Sequence, residues 1–102
     1  MKQKTVIVNS DASTALNAAR QAISMCGWKV TMMDASIIKA QTRISLASWG
    51  ETVIVQAQAS GNLTYLNVQS KCFQLIDWGK NQENVNKFLT NLKLIISIKE
   101  NM

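Results

Sequence analysis

The side chains best placed to do chemistry in this sequence are cations. Lys29, Lys39, Arg43 and Lys71 fall on the outward positions of runs that alternate apolar and polar residues, and Tyr65 falls on the same side. A basic sheet face carrying an aromatic is an arrangement that holds single-stranded nucleic acid, with the cations on phosphates and the ring on a base. Lys80 follows Gly79 just ahead of a helix-like segment, where free backbone N–H groups and a cation together favour an anion. The "GKN" around it lacks the repeated glycines of a phosphate loop. A second candidate is apolar. Met32, Ala57, Ala59 and Phe88 would line a groove between the last helix and the sheet, the alanines leaving room and the methionines Met25, Met32 and Met33 adapting to a small apolar ligand or a partner.

Covalent chemistry is poorly supplied. The chain has no histidine, so the commonest metal ligand and the usual general base near neutral pH are both missing. Its six Asp and Glu are scattered, with no close pair on one expected face, and neither Cys26 nor Cys72 has a histidine to activate it. Asp77 near Lys80 or Lys71 reads as a loop ion pair. No catalytic residue, metal site or cofactor is expected, and the two cysteines read as small buried hydrophobes rather than a disulfide. The net charge of +5 favours anionic partners while also serving solubility.

These residues need elements to position them. "KTVIVN" at 4–9 is β-branched and runs into "NSD", a strand leading to a helix whose cap is Ser10 or Asp11. Ala12, Ala15, Leu16, Ala19, Ile23 and Cys26 then recur at helical spacing, and Gly27 closes the helix in the left-handed conformation. Four alternating runs follow: 28–34 with Trp28, Val30 and Met32 inward, 37–46 with Ala40, Thr42, Ile44 and Leu46 inward, 51–59, and 63–72. "SGN" at 60–62 turns the last two into a hairpin. Asp34 and Glu51 fall in turns. "SWGE" at 48–51 and "DWGKN" at 77–81 are read as turn chemistry, with Gly50 and Gly79 reversing the chain and Asn81 capping the last helix. Val85, Phe88, Leu89, Leu92 and Ile96 give that helix its apolar stripe, while "LKLIISI" fits helix and strand periods alike, helix being the reading taken for 92–98.

Ser48, Trp49, Gly50, Glu51, Ser70, Asp77, Trp78, Gly79, Lys80, Asn81 and Asn84 together resemble a group of small bacterial single-domain proteins that carry S-W-G-E and then D-W-G-K-N-x-x-N ahead of an apolar helix. More distantly the chain is similar to a broader domain family of unknown function with the signature R-S-x-S-R-x-G-x-x-D-x-G-x-N. Asp77, Gly79 and Asn81 match it, while its paired arginines are absent here, with Lys71 nearby. The resemblance implies a domain organisation and no activity.

The expectation is therefore one α+β domain over residues 1–102: a single antiparallel sheet in the order β-α-β-β-β-β-α with two helices packed on it. It is expected to be a non-enzymatic binding or interaction module using the helix–sheet groove. The alternative is anion or single-stranded nucleic-acid binding on the basic sheet face, and assembly with further copies through a proline-free strand edge is a third option. No stretch approaches the ~18 apolar residues of a membrane helix, and the amino terminus has only a short apolar run, so a cytoplasmic location is expected.

Overall fold

The computed structural model of the protein describes residues 2–43, 50–72 and 79–100. In chain order the elements are β1 (Lys2–Val8), α1 (Ala12–Met25), β2 (Lys29–Met33), β3 (Ile37–Gln41), β4 (Glu51–Ser60), β5 (Leu63–Cys72), α2 (Lys80–Ile95) and β6 (Ile98–Glu100). The six strands form one sheet in the order β2-β3-β4-β5-β1-β6, antiparallel throughout. Both helices pack on one face of it, touching each other and the sheet. This is the expected α+β architecture with one strand added at the end.

Local signals explain α1. Asp11 is the N-cap, its carboxylate accepting the Thr14 N–H at 2.8 Å, and hydrogen bonding from Thr14, its hydroxyl foremost and then its N–H, holds the carboxyl below its ordinary range. At the other end the Gly27 N–H donates to the Ser24 carbonyl and the Trp28 N–H reaches back to the Ile23 carbonyl. This paired closure needs a left-handed residue at Gly27, whose φ is +79°. Gly27→Ala should cost about 1 kcal/mol in urea denaturation, because a Cβ at positive φ is strained; unchanged stability would show that the cap tolerates a side chain. The buried stripe Ala15, Ala18, Ala19, Ala22 is small enough to let α1 lie close to its neighbours, with Leu16 and Ile23 supplying the bulk.

The strands alternate as expected where they are regular. Val53, Val55, Leu66, Val68, Val6 and Val8 are wholly buried beneath the helices, and Phe88, Leu89 and Leu92 of α2 meet them. Trp28 is buried and Val30 is partly so, but Met32 does not follow them inward. The register slips between Val30 and Met32, so that Val30 faces Ala40 while Met32 faces Lys39, and this β-bulge turns Met32 to the opposite side of the sheet. Asp34 makes the β2–β3 turn as expected: the Ser36 and Ile37 N–H groups both donate to its carboxylate, Ser36 foremost, which lowers its pKa.

Three further expectations change. Glu51 is not a turn residue; it opens β4, opposite Cys72, and is only 3% exposed. Asn81 does not cap α2, because the helix starts one residue earlier behind a left-handed Gly79, and the Asn81 side chain is buried against the sheet instead. The segment 92–98 is divided. Helix α2 ends at Ile95, Ile96 is extended, and β6 pairs Ile98 with Val8. Leu94 is already 74% exposed, and a further helical turn would run past the core, whereas β6 satisfies backbone groups on the outer edge of β1. Ile44, Leu46, Trp49, Asp77 and Trp78 lie outside the described residues.

Candidate functional site

Cross-strand partners share a face, so the register maps the side of the sheet away from the helices. One row runs Lys29, Gln41, Thr52, Lys71 across β2, β3, β4 and β5. The next runs Met32, Lys39, Ile54, Gln69 and Gln3. Beyond a row of Ile37, Gln56, Asn67 and Thr5 comes Gln58, Tyr65, Ile7 and Lys99. Among the described residues no helix covers this face. Its polar side chains bond to one another: the Asn67 amide donates to Thr5 Oγ1 at 2.9 Å and the Gln69 amide to Asn67 Oδ1 at 3.0 Å. Such ladders tie the amides of β5 to one another and to β1, while Lys29, Lys71 and Lys99 are exposed.

Charge is segregated on this surface. Lys29, Lys39, Lys71 and Lys99 all lie on it, and none of the described carboxylates does. Asp11 and Asp34 sit at element ends, Glu51 is under the helices, Glu83 is on α2, and Glu100 shares the helix-side row with Val6, ion-paired to Lys4 at 3.0 Å and Lys93 at 3.5 Å. Lys39 and Lys71 flank a hollow of about 240 Å³ that also touches Thr52 and Ile54. A second hollow of about 450 Å³ lies between Tyr65, Asn67, Thr5 and the glutamines of β4. Tyr65 and Lys71 share β5 and its outer face, about 20 Å apart at roughly 3.3 Å per residue.

Of the four cations expected on the sheet face, Lys29, Lys39 and Lys71 are joined there with Tyr65 and Arg43 is not, while Lys80, expected apart from them, lies at the start of α2. Strand β3 ends at Gln41, after which alternation no longer dictates direction, and the Arg43 guanidinium lies over Gly27 instead. Lys80, at the start of α2, pairs with Glu83 at 3.3 Å. The groove residues also separate. Phe88 is wholly buried within the core, Ala57 is partly buried beside it, Ala59 is exposed near the β4–β5 turn, and Met32 is on the open face, 39% exposed. These four do not line one groove.

The sequence reading missed a buried polar network on the helix side. Asn84 of α2 donates to Glu51 Oε1 at 2.7 Å and to Ser70 Oγ at 3.1 Å; Ser70 in turn donates to Asn81 Oδ1 at 2.8 Å, and the Asn81 amide reaches Cys72 Sγ at 3.6 Å. Thr42 accepts the Glu51 N–H at 2.7 Å and returns its own N–H to the Glu51 carbonyl. Among the described residues no buried side-chain nitrogen or oxygen lacks a partner. Glu51, Ser70 and the Asn81–Asn84 pair come from three separate stretches of the chain, so no local spacing pointed to their meeting. The network ties the start of α2 to β4 and β5, a structural task that needs no ligand.

Cys26 is the other buried polar group of note. It accepts from the Asn91 amide at 3.2 Å, and burial pushes its thiol pKa up, the reverse of what an activated nucleophile requires. The described residues contain no group of three His, Cys, Asp or Glu that could hold a metal ion, and no helix among them is long and apolar enough to cross a membrane. No protein-family model matches the chain, and no curated protein matches it.

Proposed function

We propose that the protein is a non-enzymatic binding module that takes up an extended anionic chain, single-stranded nucleic acid, on its open sheet face. The observation that carries this reading is the charge segregation: four lysines and no described carboxylate on the one face that neither helix covers. Scattered solubility charge would place acids there as well. A strand laid along β5 would meet Lys71 and Lys39 with its phosphates and reach Tyr65 a few nucleotides on, where a base can stack. The polar amides between them offer donors and acceptors without sequence preference.

Fluorescence anisotropy with a labelled oligo-dT tests this. The wild-type affinity should fall steeply as salt rises, since each neutralised phosphate releases a counterion. The double variant Lys39→Glu/Lys71→Glu should bind at least tenfold more weakly with a shallower salt slope, and Tyr65→Ala should lose stacking worth about 1–3 kcal/mol. An oligonucleotide bound equally well by the double variant, or not bound by the wild type at low salt, would overturn the reading.

A further inference from the structure

Away from the open face, three further cations gather. Arg43, Lys80, Lys87 and Glu83 line a depression of about 210 Å³ beside the first turns of α2, with Trp28 in its wall and the buried Glu51 and Asn84 beneath. We infer that this depression is a binding site for a small ligand bearing an oxyanion, a carboxylate or phosphate group, separate from the sheet-face surface proposed above.

Part of the charge around the depression is already paired. Lys80 is paired with Glu83, and Glu51 Oε1 receives the Asn84 amide. Arg43 and Lys87 belong to none of the ion pairs among the described residues, although both border the same concave space. Glu83 offsets Lys80, while no described ion pair offsets Arg43 or Lys87, and an oxyanion between these two would supply the counter-charge. The Arg43 guanidinium lies over Gly27, where the missing Cβ leaves it room, two of its nitrogens 3.9 Å from the place a Cβ would take. A planar guanidinium fork opposed by a flexible ammonium matches a carboxylate or phosphate better than a lone chloride. Trp28 contributes an apolar wall for the rest of a small molecule.

The test is a ¹⁵N NMR titration of the intact protein with inorganic phosphate and, separately, with malonate, each at ionic strength held constant with chloride. Saturable shifts are expected at the Trp28 indole, the Arg43 side chain and the Asn84 amide, with phosphate alone, malonate alone or both, and which probe saturates assigns the ligand's anionic group. Arg43→Gln/Lys87→Gln should weaken that binding at least tenfold. Both positions are exposed, and the single Lys87→Gln provides a second, milder variant with a several-fold loss. Lys39→Glu/Lys71→Glu should titrate as the wild type does, so failure of the sheet-face reading leaves this result untouched. Shifts that follow ionic strength alone, or a double variant that titrates like the wild type, would overturn the inference.

Discussion

Asn84→Ala should lower the melting temperature by about 10–20 °C, corresponding to roughly 2–3 kcal/mol for a domain of this size. Asn84 supplies two donors at once, to the Glu51 carboxylate and to the Ser70 hydroxyl, and it is 8% exposed. Alanine leaves a buried carboxylate short of a donor, and that desolvated charge rather than the lost bond sets the cost. Asn84→Asp is the sharper variant. Its shape is unchanged, but it places a carboxyl against Glu51, so the introduced group must take up a proton to be tolerated in the fold. Its folded pKa is then raised above the unfolded value, and stability is present below the ordinary carboxylate range and lost as pH rises through the folded value. Urea denaturation at neutral and mildly acidic pH reads this directly. A loss below about 0.5 kcal/mol for Asn84→Ala would mean that the network is wetter and less consequential than its geometry says.

Phe88→Ala should cost about 3–5 kcal/mol and leave the domain close to unfolded at 37 °C. Phe88 heads the wholly buried side chains by size, and it stands where α2 meets the sheet. A ring there is core, and its removal opens a cavity that the surrounding valines and leucines only partly close. Circular dichroism melts of Phe88→Ala and Phe88→Leu should differ widely, leucine recovering most of the loss. If alanine were tolerated within about 1 kcal/mol, the interior beside α2 would already be loosely filled, and a natural apolar ligand in that place would return as the better account of the protein.

How far the sequence could be read depended on the range of the interactions involved. Asp11 and Gly27 act within a few residues, and both caps were legible. Lys29, Lys39 and Lys71 obey a period of two within regular strands, so their common face was legible too. Met32 was lost to a single inserted residue, since a bulge reverses the parity of everything beyond it and leaves no mark in composition. Arg43 was lost because the strand ends before it. Asn81 has the right chemistry for a cap, but its partner is Ser70 on another element, and side-chain pairing across the fold outweighed a local preference. Glu51 misled for the opposite reason: a carboxylate next to a glycine looks solvated, whereas α2 brings an asparagine amide to it inside the fold. The break after Ile95 was undecidable locally, because the open edge of β1 that draws Ile98 into a strand is made by residues at the other end of the chain.

The position of β1 has a consequence for the order in which the molecule assembles. The first strand of the chain is an interior strand of the sheet, with Val6 opposite Leu66 on one side and Val8 opposite Ile98 on the other. On a growing chain β1 therefore waits, both its backbone rims unpaired, while the meander from β2 to β5 can already close through neighbouring turns. Such late, long-range closure makes acquisition of the native state slow relative to helical proteins of similar length. The three-residue β6 acts as a latch on β1, a pairing that spans some of the longest sequence separations in the sheet.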